Sequence, residues 1–181
     1  QILNPTSANA HLAEIRTLPA DVVLLAEPSL TAGGQKFASS ILAHGERGYQ
    51  AIWGPPQPHR IVPGANRSDW DAVPGGTGAL ARKPIPIQAV APPLPMSQLV
   101  GPGEPDLLAE GRLLHTATPI GSGHTVAHYL TYYGFSGARA GNATAKRLNE
   151  AGLQQTLRYA AALGDTPVVW AGDINDSPDT S

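Results

Sequence analysis

An apolar run, Val168-Val169-Trp170-Ala171, ends at Gly172 and leads at once into Asp173-Ile174-Asn175-Asp176. Its length and composition predict a buried strand over residues 167–171. Because strand side chains alternate between faces, Asp173 and Asn175 are expected to project to one side, with Ile174 directed into the core. A carboxylate and a carboxamide at the tip of a strand are hard oxygen ligands, so they suggest Mg²⁺ chemistry. The plainer alternative is that Asp173 and Asn175 only form a turn.

The rest of the chain predicts further strands with helices between them. Helical spacing of apolar residues indicates helices over 7–18, 35–44 and 144–163. Short apolar or alternating runs bounded by Gly and Pro indicate strands over 21–26, 49–53, 77–82, 85–90, 112–118 and 125–133, and a short one over 60–62. Residues 119–123 are predicted to form a hairpin loop. The pattern is that of a layered α/β or α+β domain.

Composition sets limits on what the chain does. The 181 residues suit a single domain over 1–181, and 20 Gly and 18 Pro predict many loops. The segment 91–111 is dense in both, and we interpret it as a surface insertion, with a polyproline ligand as the alternative. With 14 acidic and 12 basic residues, the net charge of −2 provides no overall positive field for a polyanion.

The residue types and motifs that are absent from the sequence exclude several classes of site. The chain has no cysteine, which excludes disulfides, thiolate zinc sites and cysteine nucleophiles from this segment. It has no Gly-x-Ser-x-Gly elbow of a serine hydrolase and no P-loop. No stretch has the length and hydrophobicity of a membrane span, so no membrane is expected as a partner. An intracellular location is favoured, with the nucleus as one alternative.

Other polar residues fall at predicted strand ends. Glu27 directly follows the strand 21–26, where its carboxylate is either a metal ligand or a solvated rim residue. Tyr133 ends a long strand, and Ser136 and Arg139 follow it. A tyrosine hydroxyl and a guanidinium are suitable donors to a phosphate on which charge builds up.

The order of these residues resembles the endonuclease/exonuclease/phosphatase superfamily, which includes abasic-site endonucleases, the deoxyribonuclease I group and retroelement endonucleases. The resemblance runs from Asn4 to Pro178 and is most specific at Gly172-Asp173-Ile174-Asn175, which is similar to the Gly-Asp-(Phe/Leu)-Asn signature. Its other parts are Asn4 after a first strand, Ala26-Glu27 in place of Gln-Glu, the glycine-led strand Gly75-Gly76-Thr77-Gly78-Ala79-Leu80-Ala81-Arg82, and Tyr133-Gly134-Phe135-Ser136-Gly137-Ala138-Arg139, in which Phe135 replaces a proline and Ser136 an asparagine.

This resemblance implies a four-layer α/β/β/α sandwich of two mostly antiparallel sheets. It implies Mg²⁺ as cofactor, with Mn²⁺ as the alternative, and assigns Glu27 and Asp173 to the metal. By the same resemblance Asp173, Asn175 and Tyr133 are catalytic, with Asp173 orienting or deprotonating the attacking water. Asn4, Arg139 and Asn175 would position the phosphate.

The resemblance also implies a C-terminal Asp-His pair, which does not occur before Ser181. We therefore expect a truncated domain, incomplete at its C-terminus and inactive as cut. No other histidine is predicted to replace the missing one: His124 and His128 on one strand would be about 13 Å apart. The remaining histidines have no acidic or histidine partner at ligand spacing in the sequence and are interpreted as surface or core residues; they are His11, His44, His59 and His115.

These observations favour a fragment of a Mg²⁺-dependent phosphodiesterase that is endonuclease-like, acting on nucleic acid or another phosphate ester. One alternative is a phosphomonoesterase acting on inositol or lipid phosphates. The other is a degenerate, non-catalytic binding module. The replacement of the expected glutamine by Ala26 and of the expected proline by Phe135 favours this alternative.

Overall fold

The first sheet is built from the N-terminal part of the chain. The computed structural model describes residues 2–3, 8–55, 57, 75–121, 125–136 and 138–175, and only the backbone of residues 2, 3 and 139. The elements in chain order are β1 (Ile2–Leu3), α1 (Leu12–Thr17), β2 (Val22–Leu30), α2 (Ala32–Leu42), β3 (Tyr49–Trp53) and β4 (Gly75–Arg82). The strand order is β1-β2-β4-β3, with β1 and β2 parallel and the other pairs antiparallel.

The second sheet follows from the C-terminal part. Its elements are β5 (Gln88–Ala89), the short helix α3 (Met96–Leu99), β6 (Leu113–Pro119), β7 (Val126–Tyr133), α4 (Ala143–Ala162) and β8 (Val168–Asp173). The strand order is β5-β6-β7-β8, and only the pair β7-β8 is parallel. Asn142 caps α4, because its side-chain oxygen accepts hydrogen bonds from the Thr144 and Ala145 amides.

Three buried clusters separate four layers. Leu12, Leu25 and Leu42 belong to the cluster between the first sheet and its helices. Leu24, Leu114 and Ala171 belong to the cluster between the two sheets. The third cluster joins the second sheet to α3 and α4 through residues such as Leu113, Leu130 and Tyr159. The predicted four-layer α/β/β/α sandwich is therefore confirmed.

Several predicted element bounds change in the structure. The strand predicted to end at residue 26 continues to Leu30, because residues 27–29 of β2 lie opposite the single residue Gly76 and form a bulge. Pro28, which lacks an N–H, lies in this bulge. The strand predicted over 85–90 shortens to β5. The predicted strand 60–62 lies outside the described residues.

The Pro- and Gly-rich segment 91–111 contains turns and α3, with a half-buried ion pair between Arg158 and Glu104 joining it to α4. Leu99 and Leu107 are buried in the third cluster. The segment thus packs against the second sheet and its helix. Within the described ranges, no helix has the length and apolar character needed to cross a membrane.

Candidate active site

The ends of β7 and β8 bring two of the predicted residues side by side. The strands are parallel, and Tyr133 lies opposite Asp173 in register. The Gly134 amide donates to the Asp173 carbonyl oxygen at 2.7 Å. Parallel strands end at the same edge of a sheet, so the polar residues after both strands meet at one rim.

Asp173 and Asn175 form a turn at this rim rather than a continuing strand. The backbone N–H of Asn175 donates to the Asp173 Oδ1 at 2.8 Å, and Asn175 has a φ of +52°. Asparagine tolerates this left-handed conformation better than most residues. The expected strand alternation therefore fails beyond Asp173, where β8 ends, and an Asx turn brings the two residues together instead. Ile174 is partly buried against the third cluster.

The Asn175 side chain ties the turn to the loop that follows β7. Its Nδ2 donates to the Gly134 carbonyl oxygen at 3.1 Å. A Cβ atom at Gly134 would lie 2.5 Å from the Ile174 carbonyl oxygen, so the two segments touch where only glycine fits. The loop and the turn consequently form one unit.

Glu27, the other predicted metal ligand, belongs to the first sheet. It lies in the bulge of β2 with a φ of +57° and is half-buried. Its neighbour Ala26 pairs with Thr77, and a Cβ atom on the adjacent Gly76 would lie 3.0 Å from the Gly111 carbonyl oxygen. Gly111 immediately precedes Arg112, whose carbonyl oxygen accepts from the Tyr133 amide at 2.8 Å. These neighbours show that the part of the first sheet carrying Glu27 meets the second sheet through Gly76 and Gly111, next to the strand pair that leads to Tyr133.

A buried arginine supports the rim, and sequence reasoning did not single it out. Arg112 is 4% exposed, and its Nη1 donates to the carbonyl oxygens of Tyr133 at 3.2 Å and Gly134 at 2.7 Å. Its guanidinium carbon lies 3.8 Å from the centre of the Phe135 ring, which is a cation–π contact. The available signal was a charged residue at the start of the predicted strand 112–118, whose other residues are uncharged.

The predicted phosphate donors are described in part. Tyr133 is 2% exposed, and its hydroxyl lies 3.4 Å from the Ser136 Oγ. The Arg139 backbone belongs to a short 3₁₀ helix, Ala138–Ala140, that follows the loop. The Arg139 side chain and Asn4 lie outside the described part of the chain. The structure thus brings together Tyr133, Asp173 and Asn175, while Glu27 lies on the facing sheet in the bulge opposite Gly76.

A family model described as the Endonuclease/Exonuclease/phosphatase family matches residues 5–181. The chain belongs to this family. The match includes the rim residues Glu27, Tyr133, Asp173 and Asn175. No curated protein matches the chain.

Solved structures of the family share the fold. The 3'-5' exonuclease NExo from Neisseria meningitidis has 15% identity and a TM-score of 0.57, with 98% of this chain and 57% of that chain covered. The AP endonuclease LMAP from Leishmania major has 18% identity and a TM-score of 0.57, with 95% and 53% covered. The endonuclease domain of the telomere-specific non-LTR retrotransposon TRAS1 has 12% identity and a TM-score of 0.51, with 98% and 58% covered. This chain thus spans under two thirds of the length of these relatives.

Members of this family generally use divalent metal ions. Glu27 and Asp173 would supply carboxylate oxygens, the donor type that Mg²⁺ and Mn²⁺ prefer. Among the residues that the structure describes, no group of three or more His, Cys, Asp or Glu side chains is placed to hold a metal. Two carboxylates fit an ion such as Mg²⁺ that keeps several water ligands, and do not fit a zinc site with four protein ligands.

Two histidines have partners in the structure that were not predicted. His115 was expected to have no histidine partner, but its Nε2 lies 2.8 Å from the His128 Nδ1, and its Nδ1 lies 3.0 Å from the Tyr159 hydroxyl. His11, expected to lack an acidic partner, lies 2.9 Å from Glu14. His115, His128 and Tyr159 form one group of side chains between the second sheet and α4. Burial, together with the neighbouring His128, lowers the pKa of His115 to about 4. Of the six histidines, His59 and His124 are outside the described residues.

Proposed function

We propose that this chain is part of a Mg²⁺-dependent phosphodiesterase that hydrolyses phosphate esters by direct attack of water. The observation that supports the proposal is that Tyr133 and Asp173 lie opposite each other at the ends of β7 and β8, with Glu27 in a bulge of the facing sheet whose partner Gly76 approaches Gly111. One or two carboxylates, with water and substrate phosphate, are a suitable ligand set for Mg²⁺ in metal-assisted hydrolysis.

Asp173 is assigned the role of orienting the attacking water and accepting its proton. Its Oδ1 accepts the Asn175 amide at 2.8 Å, which fixes the orientation of the carboxylate. A base held in one orientation can keep water in line with a phosphorus atom, and this positioning lowers the barrier. Asn175, in the same turn, is assigned the role of orienting the phosphate.

Glu27 and Asp173 would hold the ion at the rim. When bound, Mg²⁺ would polarise the phosphate oxygens and offset the charge that develops on them. Tyr133 and Arg139 would donate hydrogen bonds to the phosphate, and Asn4 with Asn175 would orient it. Mn²⁺, which also prefers oxygen ligands, is expected to substitute for Mg²⁺.

Nucleic acid is the substrate class that we favour. NExo, a relative in fold, has been solved as a 3' phosphatase bound to a product DNA hairpin, with 17% identity and a TM-score of 0.58 to this chain. With a net charge of −2 on this chain, we expect affinity to come from the metal and local donors at the rim rather than from a broad basic surface.

Two alternatives remain open to the same test. A phosphomonoesterase on inositol or lipid phosphates would use the same rim. A non-catalytic binding module would retain the fold without metal-dependent turnover.

The test uses the full-length protein that contains this sequence. Nicking of supercoiled DNA and release of phosphate from inositol phosphates are measured with Mg²⁺ and with EDTA, for wild type, Glu27→Gln and Glu46→Gln. Glu46 is an exposed carboxylate in the turn before β3, at the opposite rim, and is the matched control.

DNA nicking that needs Mg²⁺, is lost in Glu27→Gln and persists in Glu46→Gln supports the proposal. Phosphate release from inositol phosphates without nicking supports the monoesterase instead. Absence of both activities in the wild type supports the binding module.

A further inference from the structure

Asn149 lies on α4, and its buried side-chain amide bonds to the backbone of the loop that follows β7, residues 134–136, which we call the rim loop. Asn149 is 2% exposed. Its Oδ1 accepts from the Phe135 amide at 2.6 Å, and its Nδ2 donates to the Phe135 carbonyl oxygen at 3.1 Å. The two bonds fix the peptide groups on both sides of Phe135, much as a neighbouring strand would.

The same side chain fills the space between the loop and the turn after β8. A Cβ atom at Gly134 would lie 2.9 Å from the Asn149 Oδ1 and 2.5 Å from the Ile174 carbonyl oxygen. Asn149 therefore packs where the two segments meet, on the side that faces the helix. The Tyr132 hydroxyl, 3.3 Å away, also donates to the Asn149 Oδ1. Burial raises the pKa of Tyr132 to about 12, so this hydroxyl keeps its proton at neutral pH.

Other bonds hold the same loop on its carbonyl side. Arg112 Nη1 and Asn175 Nδ2 both donate to the Gly134 carbonyl oxygen, at 2.7 and 3.1 Å. Gly134 is thus held between Asn149 on one side and Arg112 with Asn175 on the other. Because Tyr133 precedes Gly134 and Asn175 is bonded to it, a shift of this peptide would displace both residues.

We propose that Asn149 is a positioning residue for the rim: it holds the Gly134-Phe135 backbone so that Tyr133, Asp173 and Asn175 keep their relative placement. Asn149 touches the backbone of the loop and acts through it. The inference rests on the proposed function for its effect on turnover, while its effect on the geometry of the rim does not depend on that function.

The same helix carries a matched control. Gln155 is 1% exposed; its Oε1 accepts from the Leu107 amide at 3.1 Å, and its Nε2 donates to the Pro105 carbonyl oxygen at 3.1 Å. It makes the same kind of two-bond contact from α4, but to the segment 91–111 instead of the rim loop. Replacing either residue with alanine removes one buried amide and two bonds to loop backbone.

The experiment compares Asn149→Ala, Asn149→Asp and Gln155→Ala with wild type in the full-length protein. The first readout is hydrogen exchange at the backbone amides of Gly134 and Asn175. The Gly134 amide donates to the Asp173 carbonyl oxygen and the Asn175 amide to the Asp173 Oδ1, so neither is bonded to Asn149. The second readout is Mg²⁺-dependent hydrolysis of a DNA phosphodiester, resolved into kcat and KM.

We expect exchange at both amides to accelerate in Asn149→Ala and to stay at the wild-type rate in Gln155→Ala. We expect kcat to fall on the order of 10- to 100-fold in Asn149→Ala, with little change in KM, since misplacement of catalytic groups mainly costs turnover. Asn149→Asp keeps the acceptor for the Phe135 amide and should lie between wild type and Asn149→Ala. It serves as the test variant if Asn149→Ala does not fold.

Equal exchange in the Asn149 and Gln155 variants would overturn the inference, as would an equal loss of kcat. If the wild-type protein shows no hydrolysis, the proposed function fails, and the exchange rates alone decide whether Asn149 positions the rim.

Discussion

Tyr133 and Asp173 lie opposite each other at the ends of two adjacent parallel strands, although 40 residues separate them along the chain. The loop after the first and the turn after the second are joined through Gly134, whose amide and carbonyl oxygen are both bonded to the second segment. The rim is therefore assembled by the crossover through α4 that makes β7 and β8 neighbours.

Replacement of the proposed base should remove activity and leave the fold in place. In Asp173→Asn the side-chain oxygen can still accept the Asn175 amide, so the turn is retained. Loss of the base should lower kcat on the order of 10²- to 10⁴-fold. The measurement is Mg²⁺-dependent DNA hydrolysis by the full-length protein, with Asp165→Asn, an exposed carboxylate just before β8, as control. A near-wild-type kcat in Asp173→Asn would show that Asp173 is not the base.

Arg112 should stabilise the fold through its bonds to the rim loop. Arg112→Met keeps most of the side-chain volume but loses the donors to the Tyr133 and Gly134 carbonyl oxygens. Hydrogen bonds from charged groups contribute roughly 1.5–3 kcal/mol, so the free energy of unfolding should fall by about that amount. Urea denaturation measures this, with the exposed Arg16→Met as reference. Equal stability of the two variants would show that the buried guanidinium contributes nothing.

Gly172 should not tolerate a larger side chain. A Cβ atom there would overlap the Tyr132 carbonyl oxygen on the neighbouring strand. Gly172→Ala should therefore force β7 and β8 apart and cost about 1–3 kcal/mol or more of unfolding free energy. Gly33 lies in α2 with nothing near the position of its Cβ, and Gly33→Ala should instead add about 0.5–1 kcal/mol. Thermal unfolding of both variants gives the comparison, and a stable Gly172→Ala would contradict the close strand contact.

The buried His115 should make the fold sensitive to acid. Its pKa is about 4 in the folded chain because of burial and the neighbouring His128, compared with about 6.5 when unfolded. The unfolded chain therefore takes up a proton at a higher pH than the folded chain. The stability contribution is fully present above about pH 6.5 and is lost as the pH falls towards 4, a loss of roughly 3 kcal/mol in all.

Unfolding free energies of wild type and His115→Gln between pH 7.5 and 4.5 test this expectation. The variant should lose less stability than wild type over that range, since it lacks the titrating imidazole. Parallel pH profiles of the two proteins would contradict a buried, neutral His115.

The sequence pattern was enough to predict a layered α/β domain, and the family resemblance to predict its four layers. The strand over residues 49–53 was predicted with the bounds that the structure has, because Gly48 and Gly54 flank a run of suitable residues. The approach of Tyr133 to Asp173 could be expected from the family resemblance. Glu27 was placed at a strand end because Pro28 is usually a stop signal, whereas a bulge accommodates it within β2.

Contacts that depend on strand register could not be predicted from one sequence. His115 and His128 are diagonal neighbours on β6 and β7, and only the pairing of His115 with Leu130 and of Ala117 with His128 makes this visible. The bonds of Asn149 to Phe135 likewise depend on how α4 packs on the sheet. Local periodicity contains no information on either relation.

Under the proposed function, Glu27 and Asp173, from two different sheets, hold one divalent ion. Titration of the full-length protein with Mn²⁺, followed by electron paramagnetic resonance of the free ion, tests it most directly. We predict one Mn²⁺ site that is lost in both Glu27→Gln and Asp173→Asn and kept in Glu46→Gln. Unchanged Mn²⁺ affinity in either of the first two variants would contradict the shared site.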